Sequence, residues 1–307
     1  MLFQIFVLFT TQLALPIFLL FTLWKRNEPS KFAWLLKLLY TGAFLLYIYV
    51  AGRWDWLSYY LRYIFPLLFV IVAIGSYRRV AAQPFFAQSG KARWWNHSSA
   101  LLTLLIFAGF LAWTLLGYVY ADEPVRLAFP LQNGWYYVGQ GGNSTRLNYH
   151  NSNQAQQYAL DIVALNALGI RAWGIYPNTL ERYVVYGATI HSPCDGTVAA
   201  AVDGLPDQIP PQADREHLAG NHVVLSCQGV NVLLAHMQNG SVRVEAGDPV
   251  LTGETLGRVG NSGNTSEPHL HIHAVRGDSV DVLEGEGVPI LLDGRFAVRN
   301  TTFGGCC

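Results

Sequence analysis

Charged side chains are scarce in this sequence of 307 residues, at 13% of the total, and the formal net charge is zero. No strong overall field is therefore available to attract nucleic acid or an acidic polymer, which argues against nucleic-acid binding. Cysteine is rare too, and its four copies include no Cys-x-x-Cys pair of the kind that forms a thiolate zinc site. Hydrophobic residues, at 51%, are too abundant for an ordinary soluble protein, and they are unevenly distributed.

The hydrophobic residues are concentrated in four runs near the start of the sequence. Each run is long enough to cross the hydrocarbon core of a membrane, which takes roughly 20 helical residues. We expect the first run to be retained as a span, because no basic segment precedes it and no small-residue cleavage site follows it. Residues 1–120 are therefore predicted to form a four-helix transmembrane anchor. The four spans are predicted at about residues 3–24, 33–51, 59–77 and 99–120.

Basic residues cluster in the first and third loops between these spans, whereas the second loop has mainly Arg53 beside Asp55. Loops rich in Lys and Arg stay in the cytoplasm, so this pattern puts the N-terminus and the region after Tyr120 outside the cytoplasm. The sequence has no pair of Gly/Pro-broken segments and no buried carboxylate relay of the kind that a transporter needs. The basic loop residues are Lys25, Arg26, Lys31, Arg78, Arg79, Lys91 and Arg93.

From Leu127 onward the pattern changes to short β-type runs separated by turns that contain glycine. This spacing predicts an all-β fold of antiparallel strands within an extracytoplasmic domain of residues 121–307. Pro206–Gly220 is predicted to be a polar loop inserted between strands. The predicted strands are Thr197–Val202, Asn221–Cys227, Val230–Met237, Ser241–Val244, Thr255–Val259 and His269–Val275.

Two of the cysteines, Cys194 and Cys227, stand beside predicted strands of this domain. An extracytoplasmic compartment permits disulfides, so we expect a bridge between them. The bridge would close a loop of about 30 residues and contribute roughly 3–4 kcal/mol in the chain-entropy model. The alternative is a pair of buried free thiols.

The segment His269-Leu-His271 presents two imidazoles side by side, because side chains two apart in a strand point to the same face. Leu270 and Ile272 then face the core. One imidazole can bind a metal ion while the other reaches a substrate at that metal. Two solvent-facing histidines on a strand would give the same pattern. His273 lies on the same face of the strand as His271. We expect it to be an exposed strand residue rather than a group that contacts and supports a metal ligand.

The run from Gly247 to His271 resembles the last active-site block of the lysostaphin-type (M23 family) zinc peptidases. Three further blocks resemble this family in the same order along the chain, and together the blocks cover most of residues 127–280. They are Tyr158-Ala-Leu-Asp161, His191-Ser-Pro-Cys-Asp-Gly-Thr-Val198 with Gly220-Asn-His-Val-Val224, and Leu233-Leu-Ala-His236.

This family cuts peptide bonds in bacterial cell-wall cross-bridges or stem peptides, with zinc held by two histidines and one aspartate. The resemblance implies that Asp161 and His271 are zinc ligands. It also implies that His236 and His269 are the catalytic pair that handles protons and transition-state charge. Three protein ligands leave an open position for water, which is the arrangement of catalytic zinc sites.

The sequence departs from the family at the other histidine ligand, which usually stands four residues before the aspartate. That position is Gln157 here, and an amide is a poor substitute for imidazole on zinc. His150 is the nearest alternative, eleven residues before Asp161, and we expect a loop that doubles back to bring it to the metal. If His150 is instead a surface residue, the domain is a degenerate relative without zinc.

The predicted protein therefore combines an α-helical transmembrane region of four spans with an all-β, antiparallel-sheet, M23-like peptidase domain. The predicted function is that of a zinc endopeptidase anchored, multi-pass, in the bacterial cytoplasmic membrane. Its substrate would be peptidoglycan or a related extracytoplasmic peptide, and its other partner the lipid bilayer. One alternative is a metal-free domain that binds the wall or regulates other wall hydrolases. A signalling receptor or transporter is a further alternative, which rests only on the four spans.

Overall fold

The computed structural model describes residues 2–86, 91–277 and 283–305. Cys306 and Cys307, for which the sequence suggests no role, lie outside the described residues. The chain divides into two compact units. The first consists of Met1–Gly52 and Tyr60–Leu115, and the second of Arg53–Tyr59 and Leu116–Cys307.

The first unit is helical. Four of its segments are long and apolar enough to cross a membrane, with mean hydropathy between 1.5 and 2.1, as the sequence predicted. A π-helical turn at Thr10–Ala14 joins the first two helices into one of these segments. The helices are α1 (Leu2–Phe9), α2 (Leu15–Lys25), α3 (Lys31–Ala51), α4 (Leu61–Val80) and α5 (Lys91–Leu116).

The start of α3 shows how the sequence sets a helix boundary. Ser30 adopts an extended conformation, and its hydroxyl oxygen accepts a hydrogen bond from the backbone N–H of Ala33 at 3.2 Å. This contact satisfies one of the N–H groups that the first turn leaves without a helical partner. The helix ends before Gly52, whose extended backbone leads into the segment that belongs to the second unit.

The second unit is built from short strands and irregular segments. Its strands are β1 (Val125–Leu127), β2 (Trp135–Gln140), β3 (Leu160–Leu165), β4 (Thr189–His191), β5 (Gly196–Val202), β6 (Asn221–Cys227), β7 (Val230–Met237), β8 (Pro249–Val250), β9 (Thr255–Arg258), β10 (Leu270–Arg276), β11 (Glu286–Val288), β12 (Ile290–Leu292), β13 (Arg295–Phe296) and β14 (Thr302–Gly304).

Most of these strands form one antiparallel sheet in the order β14-β2-β3-β10-β7-β6-β5-β8, with β11 also paired to β10. Two small sheets, β1-β12-β13 and β4-β9, complete the unit, and β1 pairs with β12 in parallel. The all-β, antiparallel fold class is confirmed for the main sheet.

The two faces of the main sheet have different roles, because side chains alternate along a strand. In β3, β7 and β10 the even-numbered residues enter the main hydrophobic core, where Ile162, Leu234 and Ile272 are fully buried. Burial of one such side chain stabilises the fold by roughly 1.5–3 kcal/mol. The odd-numbered residues of these strands face the other side, and among them are Asp161 and His271.

Several predicted strands match the structure closely. The bounds of β6 and β7 are those predicted, β5 and β9 differ from prediction by one residue at one end, and β10 differs by one residue at each end. Ser241–Val244 was wrongly predicted to be a strand. Arg243 N–H donates to the Leu256 carbonyl at 3.0 Å, but this segment forms no ladder. The structure also joins Cys194 and Cys227 by a disulfide, with their Cα atoms 6.4 Å apart.

Candidate metal centre

The strand register brings three of the predicted site residues to one place on the sheet. β10 lies between β3 and β7, and His271 of β10 is directly opposite Asp161 on β3 and Ala235 on β7. His236 follows Ala235 directly along β7. Residues paired across strands have side chains within contact distance on the same face. The sheet itself therefore sets the distance between the aspartate and the second histidine of His269-Leu-His271.

His236 has an unusual backbone conformation. In a regular pleat it would share the core-facing side of Leu234, but its φ is +63°, in the left-handed region. A non-glycine residue pays roughly 1–2 kcal/mol for this conformation. The left-handed conformation of His236 interrupts the alternation of side chains along β7. It lets the His236 imidazole approach that of His269, with the two ring centroids 4.9 Å apart.

His150 reaches the site from a loop that doubles back towards β3. It lies in a 3-10 turn, Tyr149–Ser152, where its own backbone N–H donates to the side-chain oxygen of Asn148 at 3.2 Å. The side-chain amide of Asn148 is fully buried and donates to the carbonyl oxygens of Gly142, Gln157 and Ala159 at 3.0–3.2 Å. Asn148 therefore fixes the loop against the chain that enters β3.

The doubled-back loop places the His150 imidazole against Asp161. His150 Nε2 lies 3.0 Å from Asp161 Oδ1 and 3.2 Å from Oδ2, and His271 Nδ1 lies 2.9 Å from Oδ1. All three residues are at least nine-tenths buried. Gln157 stands at the position that the family pattern gives to a histidine, and its backbone carbonyl accepts hydrogen bonds from Asn148 and Asn151.

These three side chains suit a zinc ion by their chemistry and spacing. Tetrahedral zinc with bonds of about 2.0–2.1 Å places its ligand atoms about 3.3 Å apart, so the observed N···O separations need only a small expansion. One carboxylate and two imidazoles also form a donor set found in catalytic zinc sites, with a further position open. His150, Asp161 and His271 can hold the ion, each offering a ligand atom within 4.8 Å of the others.

In both imidazole ligands, the ring nitrogen that faces away from Asp161 has a hydrogen-bond partner, and the nitrogen that faces Asp161 is left for the metal. His150 Nδ1 lies 2.9 Å from Gln156 Oε1, to which it donates when Nε2 is a metal ligand. His271 Nε2 lies 2.9 Å from His273 Nδ1, to which it donates when Nδ1 is a metal ligand. His273 was wrongly expected to be exposed. It is 1% exposed, because β10 lies inside the sheet and a second buried cluster covers this face.

His236 and His269 present their Nε2 atoms in the same way. The Nδ1–H group of His236 donates to the Ser262 carbonyl at 2.9 Å, and that of His269 donates to the Glu267 carbonyl at 2.8 Å. Nε2 of His269 is buried without a hydrogen-bond partner, 3.4 Å from Asp161 Oδ1. Such an unsatisfied acceptor is costly unless a proton, a water molecule or a ligand meets it.

The electrostatics of the metal-free cluster separate these two imidazoles. Burial lowers the pKa of His236 well below its usual value, and the neighbouring His269 and His271 add to this effect. Burial also disfavours the charged form of His269, but the Asp161 carboxylate outweighs burial and raises the pKa of that imidazole. Burial alone would raise the pKa of Asp161, yet His150 and His269 hold it well below its usual range. Paired groups with separated pKa values suit opposite proton-transfer roles.

The structure thus brings together all five predicted site residues. His236, His269 and His271 form a second group of potential metal ligands, which shares His271 with the first. Sequence reasoning gave Asn148 no definite role, although buried asparagines commonly fix loops through backbone contacts. It also missed Gln156 and His273 as partners of the imidazoles.

The model of Peptidase family M23 matches residues 181–282, a range that includes His236, His269 and His271 and begins after His150 and Asp161. No curated protein matches the chain.

Three similar solved structures share little sequence with it. A zinc-containing peptidase from Vibrio cholerae is 19% identical over 54% of this chain and 41% of its own, with a TM-score of 0.33. The catalytic domain of lysostaphin from Staphylococcus simulans is 19% identical over 38% and 84%, with a TM-score of 0.24. A mutant catalytic domain of the prophage-encoded M23 protein EnpA from Enterococcus faecalis is 25% identical over 38% and 83%, with a TM-score of 0.21. The chain thus spans less than half of the first of these structures. It carries an M23-type peptidase domain, C-terminal to four long apolar helices.

Proposed function

We propose that this protein is a membrane-anchored zinc endopeptidase that hydrolyses peptide bonds in peptidoglycan or a related extracytoplasmic peptide. The observation that supports this proposal is the buried cluster in which His150 Nε2 and His271 Nδ1 lie 3.0 and 2.9 Å from one oxygen of Asp161. A carboxylate buried among imidazoles needs a counter-charge, and a divalent cation supplies it. The catalytic pair, His236 and His269, adjoins this cluster.

In this mechanism His150, Asp161 and His271 would hold zinc. When bound, the ion would polarise the peptide carbonyl and lower the pKa of a water molecule towards 7. His236 Nε2 accepts the proton of the attacking water, because its lowered pKa keeps this imidazole neutral and its Nδ1 already carries the proton donated to the Ser262 carbonyl. The resulting imidazolium returns the proton to the leaving amine, and His269, whose pKa is raised, stabilises the negative charge on the former carbonyl oxygen through Nε2–H when protonated.

The proposed location follows from the apolar helices and the loop charges. Four helices can anchor the chain in the bacterial cytoplasmic membrane, and the basic first and third loops favour a peptidase domain on the periplasmic side. We assign residues 1–120 to the anchor and residues 121–307 to the peptidase domain. An enzyme held there meets the cell wall and secreted peptides, which is why peptidoglycan is the proposed substrate.

The test measures zinc content and hydrolysis together in the detergent-purified full chain. We expect about one zinc ion per chain and release of peptides from peptidoglycan fragments of defined structure. His271→Ala should lose both properties. The matched control is His191→Ala, which removes an imidazole bonded only to the Gly253 carbonyl among the contacts described. A His271→Ala protein that keeps its zinc and its activity would contradict the assignment.

A metal-free binding domain is the second candidate, favoured by the presence of Gln157 at the usual histidine position. It predicts a wild-type protein that retains peptidoglycan fragments without zinc and without cleaving them. Two substitutions separate the candidates further. The enzyme predicts that His150→Ala loses zinc while Gln157→Ala keeps it, whereas the binding domain predicts that neither changes the behaviour of the protein.

A further inference from the structure

The loop Arg53–Tyr59 connects α3 to α4, yet it belongs to the same compact unit as the β strands. Loops between spans usually run over a surface and tolerate change. In this loop, however, Trp54 and Asp55 are completely buried. A buried carboxylate is costly unless charged or hydrogen-bonding groups surround it, so its partners indicate what the loop does.

The loop docks on residues 168–171 through main-chain contacts. The Arg171 N–H donates to the Asp55 carbonyl at 2.9 Å, and the Tyr59 N–H donates to the Gly169 carbonyl at 2.8 Å. The Ser58 hydroxyl donates to the Leu168 carbonyl at 2.9 Å. These contacts fix the path of the loop along the peptidase unit.

Four charged side chains then form a continuous network. Arg53 donates two hydrogen bonds to Asp55, at 2.9 and 2.8 Å. Arg171 donates from Nε and Nη2 to one oxygen of Glu267, at 2.9 and 2.6 Å, and its Nε lies 3.9 Å from Asp55. Arg53 also approaches Glu267, at 3.8 Å. Two carboxylates and two guanidinium groups balance in charge, so loss of one leaves another buried without its partner.

Trp56 adds a second contact of the loop with Arg171. The guanidinium carbon of Arg171 lies 3.6 Å from the centroid of the Trp56 ring, in a cation–π arrangement. Tyr176 also stacks on this indole, with 5.8 Å between the ring centroids, and the Tyr176 hydroxyl donates to the Ser266 carbonyl. The loop therefore packs against Arg171 and against Tyr176, which is hydrogen-bonded to the segment before β10.

The network ends at a residue of the catalytic site. The carboxylate of Glu267 binds Arg171, and the carbonyl of the same residue accepts the Nδ1–H of His269 at 2.8 Å. We propose that the loop Arg53–Tyr59 is a positioning element of the peptidase, which sets the orientation of His269 through Arg171 and Glu267. This inference rests on the proposed function of His269. The metal ligands are held by other partners, Gln156 and His273.

The test compares Asp55→Asn with wild type in the full chain. The change keeps the shape of the side chain and removes the charge that Arg53 and Arg171 share. We expect zinc content and KM to stay the same while kcat falls about 10- to 100-fold, since small displacements of a catalytic group have effects of this order. The matched control is Asp195→Asn, the same change at an exposed carboxylate that accepts hydrogen bonds from Thr252 outside the loop and the ion network, which should keep wild-type kcat.

Two further measurements make the test decisive. Arg53→Lys retains the charge but not the two-pronged contact, so it should lower kcat by a smaller factor than Asp55→Asn. This variant still tests the network if Asp55→Asn fails to fold. Glu267→Gln combined with Asp55→Asn should cost no more than the larger single effect, because both act through one network. In zinc-free protein labelled with ¹⁵N-histidine, the His269 signal should change from one tautomer to a mixture in Asp55→Asn.

Each result has a defined meaning. An Asp55→Asn protein with wild-type kcat and an unchanged His269 signal overturns the positioning role. So does simultaneous loss of zinc and activity in both Asp55→Asn and Arg53→Lys, because the loop would then support the whole fold. Failure of the proposed function is seen separately, as a wild-type chain without zinc or hydrolysis. In that event the ¹⁵N measurement still decides whether Asp55 orients His269.

Discussion

The two compact units differ in what they bury and what they expose. The helical unit exposes large apolar side chains, such as Phe3, Leu102 and Leu105 with exposed fractions of 77%, 59% and 61%. The β unit instead buries charged and polar groups, including Asp55 and Arg171, which are 0% and 1% exposed. An apolar surface of this extent suits hydrocarbon, whereas a buried charge demands a specific partner.

This difference teaches where to look for function in each unit. In the β unit most buried charges have evident partners, as Asp55 has Arg53. The exception that matters is the cluster around Asp161, where imidazoles crowd one carboxylate and His269 Nε2 has no hydrogen-bond partner. The helical unit pairs its buried Lys37 with Glu28 at 2.8 Å, and this contact requires no further ligand. The chemistry is therefore expected in the β unit.

Removal of zinc should have the largest effect, and it should act on the β unit alone. We expect a chelator to abolish hydrolysis and to lower the melting temperature of the β unit, since a ligand at 1,000 times its Kd stabilises by about 4 kcal/mol. The helical content measured by circular dichroism should not change below that transition. Stoichiometric zinc should restore both properties, whereas magnesium, which prefers oxygen ligands, should not. Hydrolysis that continues after complete removal of metal would refute the zinc centre.

The two catalytic imidazoles should be separable from the metal ligands. His236→Ala and His269→Ala should each lower kcat by about 10²–10⁴-fold, the usual contribution of a proton-transferring group, and retain zinc. The double variant should be little worse than the poorer single variant, because the two groups serve one reaction. Zinc analysis and steady-state kinetics on the same preparation are the measurements. Loss of zinc from either variant would place that histidine among the ligands instead.

The extent to which the sequence predicted this site depends on how local each contact is. The side-by-side placement of His269 and His271 follows from strand geometry, and the sheet register adds Asp161 opposite His271. His150 stood only as an alternative to Gln157, because its position depends on hydrogen bonds that Asn148 makes to three carbonyls along the chain. No local pattern specifies a fold-back of that kind.

The fold shows the same limit. The bounds of β6 and β7 could be predicted, because their apolar residues are framed by Gly220, Gly229 and Gly240. The buried strand β3 is a continuous apolar run apart from Asp161, and a run of that kind does not distinguish a strand from a buried helix. Arg171 and Glu267 are 96 positions apart, so only the folded chain reveals their ion pair.

Identical substitutions in the two units should have effects of very different size, which sharpens the comparison of their surfaces. Leu105 lies near the middle of the last apolar helix and is 61% exposed, while Leu251 in the β unit is 68% exposed. Leu105→Asp should make membrane insertion less favourable by about 2.5–3.5 kcal/mol, because the exposed site would face hydrocarbon. Leu251→Asp should change stability by less than about 0.5 kcal/mol, because the site would face water. Insertion can be measured from the glycosylation of engineered acceptor sites in microsomes, and equal insertion of both variants would remove the distinction.

The smallest effect is expected at His273, which tests whether a buried polar group of the β unit serves the metal. His273 is 1% exposed, and its Nδ1 lies 2.9 Å from His271 Nε2. His273→Ala removes the acceptor that holds His271 in the tautomer with a free Nδ1, so zinc affinity should fall about 10- to 100-fold. Because zinc still binds at saturating concentration, kcat should then return close to the wild-type value. The matched control is His217→Ala, a histidine whose side chain is 53% exposed and which pairs with Asp214. Competition with a chromophoric chelator measures both affinities, and equal affinities would show that His273 is a packing residue rather than a support for the ligand.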